Sequence, residues 1–151
     1  MMPPLHTMKV FLVEDSDLLR ERLAHSISEL KGIELCGYSD SAKQAVHQIR
    51  ETEPDVIILD IRLRDGNGFQ VLEAVKTRGK LPTVLVLTNF AYPQYRKKFL
   101  DAGADYFFDK SNEFPQVISV LKTMLEQDTR APRKKNKTAS RRLQDDSPPT
   151  Q

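Results

Sequence analysis

The sequence predicts a doubly wound α/β domain, in which helices cover both faces of a five-stranded parallel sheet in three layers, and three observations carry that prediction. Short runs rich in Val and Ile, at Lys9 to Val13, Asp55 to Leu59 and Thr83 to Leu87, are almost continuously apolar, as strands buried on both faces are. Longer stretches with helical spacing alternate with them, which is the pattern of repeated βα units. Capping and breaking residues fall at the joins between the two kinds of segment.

Taken in chain order, the first strand precedes a helix whose apolar stripe is Leu19, Leu23, Ile27 and Leu30. Ile33 to Tyr38 is a weaker second strand. Ser41 with Gln44, and Asn67 with Gln70, have the spacing of a capping side chain and its reciprocal partner, so the second and third helices start there. Gly32, Gly79 and Gly103 stand where helices should stop. Pro93 and Pro115 are tolerated only in a first helical turn, placing a fourth helix over Pro93 to Ala102 and a fifth near Pro115. Ala104 to Phe108 is a weaker last strand, and Val117, Leu121 and Leu125 mark the last helix. The count is five strands and five helices.

A chain of 151 residues has room for one ordinary domain, here 8–127, and no second folded output domain is expected. Residues 1–7 form a short extension without the apolar run of a signal peptide, and nothing reaches transmembrane length, so a cytoplasmic location is expected. The lone Cys36 has no disulfide or zinc partner and reads as a small apolar strand residue. His6, His25 and His47 share no ligand or triad spacing. The net charge of +2 hides an asymmetry: residues 130–151 carry seven basic and two acidic side chains, leaving 16 basic and 19 acidic in the rest. With Pro132, Pro148 and Pro149 and almost no apolar content, the segment 128–151 is expected to be a disordered basic tail.

Chemistry is expected at the carboxyl ends of the strands, where an open parallel sheet leaves a crevice. Glu14 and Asp15 follow the first strand, Asp60 ends the third, Thr88 ends the fourth and Lys110 follows the fifth, so all five share one rim. Gathered carboxylates repel by about 4 kcal/mol per pair at 4 Å and an effective dielectric near 20. They call for a small hard dication with oxygen ligands, which is Mg2+. Asp60 is then a candidate nucleophile toward phosphorus, with Lys110 and the Thr88 hydroxyl placed to neutralise and bind a transferring phosphoryl group. Taken singly, an acidic pair after a strand is ordinarily a solvated helix start and Lys110 an ordinary surface lysine. Five suitable residue types on five strand ends are hard to obtain by accident. The Gly66 and Gly68 run lacks the third glycine of a dinucleotide site and reads as a turn.

Val-Glu-Asp at 13–15, Leu-Asp-Ile-Arg-Leu-Arg-Asp-Gly-Asn-Gly at 59–68, Leu-Thr at 87–88 and Gly-Ala-Asp-Tyr-Phe-Phe-Asp-Lys at 103–110 resemble the receiver domains of two-component response regulators. The resemblance covers about residues 8–127. It implies the flavodoxin-like strand order 2-1-3-4-5 and a phosphoacceptor at Asp60. It also implies Mg2+ held by Asp15, Asp60 and the backbone carbonyl of Arg62, with Glu14 acting mainly through water. Thr88 and Lys110 would grip the phosphoryl group, and Phe107 matches an aromatic whose rotamer follows Thr88; an ordinary buried strand ring has the same composition. The chain departs from the family at Arg64 and Ser111, which replace common prolines, so no cis bond is expected after Lys110, and at Asn89, which is large for its position; Arg62 and Phe90 occupy variable positions that tune hydrolysis of the acyl phosphate.

The implied partners are a histidine kinase or histidine phosphotransfer protein as donor and a downstream protein target, with a phosphorylation-dependent homodimer as one form of output. Tyr92, Tyr95, Arg96, Lys97, Lys98 and Phe99 make the fourth-helix region basic and aromatic, as interfaces often are, although a solvated face over a core Phe99 has the same composition. Other readings are an adaptor that keeps the fold without phosphate turnover, a binder of nucleic acid or acidic partners through the tail, and a Mg2+-dependent hydrolase. The tail has no aromatic residue for base stacking, and no second catalytic acid stands near Asp60 in sequence.

Overall fold

In the computed structural model, residues 7–77 and 81–130 are described. They form a five-stranded parallel sheet in the order β2-β1-β3-β6-β7. Its strands are β1 (Met8–Val13), β2 (Ile33–Ser39), β3 (Val56–Leu59), β6 (Thr83–Thr88) and β7 (Tyr106–Asp109). Two further strands, β4 (Arg62–Leu63) and β5 (Gly66–Asn67), pair antiparallel with each other apart from the sheet. With that short ladder set aside, the order is the expected 2-1-3-4-5. The helices are α1 (Asp17–Ser28), α2 (Ala42–Thr52), α3 (Gly68–Lys76), α4 (Pro93–Asp101) and α5 (Phe114–Arg130).

The central strands are apolar on both faces because each face has its own core. Phe11, Ile57, Leu59, Val84 and Val86 pack with α2, α3 and Phe99 of α4 on one side. Val10, Leu12, Ile58, Leu85 and Leu87 pack with Leu19, Leu23, Ile27, Val117 and Leu121 of α1 and α5 on the other. Alternation of side chains across a strand sends neighbouring residues to opposite cores, and the helical stripes read from the sequence supply the facing surfaces. Leu30 is the exception in the first stripe: α1 ends at Ser28, and Leu30 lies beyond it, half-buried.

Helix starts follow the capping logic. The hydroxyl of Ser16 accepts from the N–H of Leu19, that of Ser41 from Gln44, and Asn67 with Gln70 forms a reciprocal capping box. Pro93 opens α4, and Gly32 and Gly103, at φ 91° and 116°, take the left-handed conformation that favours glycine after a helix.

Several boundaries differ from the sequence reading. Asp55 and Asp105 sit just before β3 and β7 rather than inside them, because their carboxylates accept from the backbone N–H groups of Lys9 and Val84, each at an end of the neighbouring strand. The Gly66 segment expected as a turn pairs with Arg62–Leu63. The last helix continues to Arg130, past the expected domain limit at 127. The expectations for residues 1–6, for Gly79 and for the tail beyond 130 lie outside the described residues.

Candidate functional site

Parallel register brings the carboxyl ends of β1, β3, β6 and β7 to one rim. Val13 pairs with Leu59, Leu59 with Val86, and Thr88 with Asp109, so Glu14, Asp60, Thr88 and Lys110 emerge side by side. Backbone bonds tie the rim together: the N–H of Asp60 donates to the Val13 carbonyl and that of Lys110 to the Thr88 carbonyl, both at 2.9 Å. Gly68 at the start of α3 lies so close to the Asp60 carbonyl that a Cβ would collide with it. Its N–H donates to the Ile61 carbonyl at 2.7 Å.

The Lys110 ammonium bridges two carboxylates 96 and 50 residues away, donating to Glu14 Oε2 at 3.1 Å and Asp60 Oδ2 at 2.9 Å. All three side chains are at most 12% exposed. Burial alone would lower the Lys110 pKa, but its hydrogen bond to Asp60 and the charges of Asp60 and Glu14 outweigh it and hold the pKa above the usual lysine value. Glu14 is pushed up, first by burial and then by the Asp60 charge, against the lowering effects of the Ser16 N–H and Lys110.

The other expected residues divide. Thr88 is fully buried, and its Oγ1 accepts from the Phe90 N–H at 3.0 Å. Asp15 is next to Glu14 in the chain but exposed, and makes no hydrogen bond or ion pair among the described residues. No group of three or more His, Cys, Asp or Glu side chains among the described residues is arranged to hold a metal ion. Arg62 and Asn89 are exposed and Phe90 half-buried. The Arg62 guanidinium lies 4.3 Å from the Phe90 ring centroid, so the two residues expected to tune hydrolysis form one stacked pair. Phe107 is buried, 6.1 Å from the Phe99 ring.

Several supporting residues carried no signal in the sequence reading. Asp65 accepts from the Ser41 hydroxyl at 2.7 Å and the Ala42 N–H at 2.6 Å, joining the loop after Asp60 to the start of α2. These bonds hold its carboxyl below the usual range. Both proline replacements use the N–H that proline lacks: Arg64 donates its N–H to the Asp40 carbonyl, and Ser111 donates its N–H to the Asp109 carboxylate. No cis peptide bond occurs among the described residues. His25 and His47 are exposed, each beside a glutamate one turn on, and Cys36 is half-buried, its thiol pushed up in pKa by burial.

The arrangement resembles known proteins at every level compared. The family model for the response regulator receiver domain matches residues 10–122. The sensory transduction protein LytT of Bacillus cereus is 29% identical over 76% of this chain and 46% of its own length. The probable transcriptional regulatory protein SilR of Salmonella typhimurium is 30% identical over 78% of this chain and 51% of its own. The chain thus spans about half the length of these curated relatives. Among solved structures, the receiver domain of the putative response regulator NarL from Mycobacterium tuberculosis superposes with a TM-score of 0.73 at 24% identity, covering 80% of this chain and 98% of that one. The response regulator domain of Thermotoga maritima CheB gives 0.71 at 23%, covering 85% and 100%. At those identities the likeness is one of fold.

Proposed function

The chain belongs to the response regulator receiver domain family, a phosphoacceptor signalling family, and from that premise we propose that Asp60 is its phosphoacceptor and that modification there switches its binding to other proteins. The observation that carries the proposal is the buried Lys110 ammonium bonded to Asp60 and Glu14, because a fixed positive charge beside a carboxylate is what in-line transfer of a phosphoryl group needs.

A carboxylate oxygen of Asp60 attacks the phosphorus of a phosphohistidine on a kinase or phosphotransfer protein. The O–P bond forms as the P–N bond breaks, and the electron pair leaves on the imidazole nitrogen, which takes up a proton. Lys110 shifts from ion pairing with Asp60 to holding a phosphoryl oxygen. The Thr88 hydroxyl keeps its own proton free to donate, since its oxygen is the acceptor for Phe90. No external substrate is turned over; the chain promotes its own phosphorylation and slow hydrolysis.

The donor set suits Mg2+: it is all oxygen, the carboxylates of Glu14, Asp15 and Asp60 with the Arg62 carbonyl. Asp15, Asp60 and the Arg62 carbonyl would hold the ion, with Glu14 acting through water. Bound there, it would neutralise charge on the phosphoryl group. The Arg62–Phe90 stack, with Asn89 beside it, shields the acyl phosphate from water and lengthens its life.

A downstream protein, or a second copy of the chain, reads the switch at the basic and aromatic surface of α4. Among the described residues no helix is long and apolar enough to cross a membrane. A cytoplasmic setting fits this reading and the lone Cys36. Contact of the basic tail with nucleic acid is a secondary reading, tested by whether residues 1–129 retain all binding.

The main test incubates the protein and Asp60→Asn with a small phosphoramidate, with Mg2+ or with a chelator, and follows intact mass. Uptake of one phosphoryl group by the wild type only, and only with Mg2+, supports the proposal. Equal uptake by the variant refutes it, and a wild type that takes up none favours a non-turnover adaptor.

A further inference from the structure

α4 is the most lightly anchored of the helices flanking the site. It places one residue, Phe99, fully in the core, where α1 and α2 each place three and α3 four. Its N-cap residue, Tyr92, makes no side-chain cap bond, unlike Ser16, Ser41 and Asn67. A helix with little burial and an uncapped start opens at low free-energy cost.

One polar side chain compensates. Arg96, in the first turns of α4, donates from a guanidinium nitrogen to the backbone carbonyl of Phe107 at 3.1 Å. The guanidinium carbon lies 5.6 Å from the centroid of the Phe107 ring. β7 is an edge strand of the sheet, so a backbone carbonyl on its open side lacks a ladder partner, and the one at Phe107 takes Arg96 as its donor. The bond therefore ties an exposed side chain of a lightly anchored helix to a strand of the sheet.

The same helix is joined to the site by a short path of hydrogen bonds and one stretch of chain. Lys110, bonded to Asp60, donates its backbone N–H to Thr88, and Thr88 Oγ1 accepts from the Phe90 N–H. Pro93 then opens α4, with only residues 89–92 between Thr88 and the helix. A hydroxyl that turns toward a new anion on Asp60 deprives the Phe90 N–H of its acceptor and frees that segment to move. α4 can follow only when the bond from Arg96 to Phe107 breaks.

We infer that Arg96 is a positioning residue, a clip that holds α4 in its present place, and that modification of Asp60 acts on the equilibrium between clipped and released helix. The second half rests on the phosphoacceptor reading above; the first does not. Since both changes bias one equilibrium, loss of the clip and phosphorylation have overlapping effects.

Hydrogen–deuterium exchange on the full chain tests this with Arg96→Met, which keeps a long apolar stem without a donor, and Arg96→Lys, which keeps a donor. Without phosphodonor, amides of residues 93–101 exchange about three- to tenfold faster in the Met variant, the effect of one net hydrogen bond. Amides of β1 and β3 are unchanged, and the Lys variant stays near wild type. With Mg2+ and a phosphoramidate, wild-type α4 moves toward the rate of the Met variant. Unchanged exchange in the Met variant, equal acceleration in both variants, or acceleration throughout the domain overturns the clip. A phosphorylated wild type with unaltered α4 overturns its link to Asp60. A wild type that takes up no phosphoryl group refutes the phosphoacceptor reading instead, and the comparison without phosphodonor still decides the clip.

Discussion

Lys110 Nζ lies 2.9 Å from Asp60 Oδ2 and shares its ammonium with Glu14, so one cation holds two buried carboxylates at the mouth of the sheet. Removing it leaves both without that partner. Lys110→Met is expected to destabilise the metal-free protein by about 3 kcal/mol, the usual cost of breaking a buried pair. Mg2+ should recover more stability in the variant than in the wild type, because the ion then has no ammonium to displace. Urea unfolding in chelator and in Mg2+ measures both effects; equal recovery in the two proteins would count against a shared site.

Glu14 gives the pH dependence its sign. Its pKa in the fold is raised above 4.5 by burial and by the Asp60 charge. Its stabilising contribution is therefore complete below 4.5 and is lost as pH rises through the folded value. In chelator at neutral pH, Glu14→Gln should melt a few degrees above the wild type, and the gap should close on acidification. A variant that melts lower at neutral pH would show that the bond from Lys110 outweighs the burial.

The stack of Arg62 on Phe90 predicts the lifetime of the phosphorylated form. Losing a contact of this kind, about 0.5–1 kcal/mol at an exposed site, translates into roughly two- to fivefold faster phosphate loss if the stack excludes the attacking water. Arg62→Ala and the double change of Asn89 and Phe90 to alanine should both accelerate loss, timed after removal of the phosphodonor. Unchanged rates would detach the stack from hydrolysis.

Which features were legible in the sequence follows from their range. β1, β3 and β6 are central, so their apolar runs are continuous and their limits hold to a residue or two, whereas the edge strands β2 and β7 have mixed burial and weaker patterns. The caps at Ser41 and Asn67 were legible because both partners lie within one turn. The rim of Glu14, Asp60, Thr88 and Lys110 was legible because strand ends of a parallel sheet converge whatever the loops do. The bonds from Ser41 to Asp65 and from Arg96 to Phe107, and the stack of Arg62 on Phe90, were not. Each depends on how a loop or helix lies across its neighbour, and no periodicity records that.

Asp105 illustrates the same limit and gives a stability test far from the site. Its carboxylate, 1% exposed, accepts from the Val84 N–H at 2.9 Å where β6 begins. Asp105→Ala leaves that buried donor without the acceptor and should cost about 1–3 kcal/mol in urea unfolding, with little change in slope. Phosphorylation at Asp60 should survive in the folded fraction. A loss below the error of the measurement would mean that water or a neighbouring group replaces the carboxylate.

The most direct measurement is to locate the modified atom. After treatment with Mg2+ and a phosphoramidate, borohydride reduction converts an aspartyl phosphate to homoserine, and peptide mass spectrometry reads its position. The account predicts homoserine in place of Asp60 and nowhere else, abolished by chelator. Homoserine at Asp15 or another carboxylate, with Asp60 intact, would contradict it.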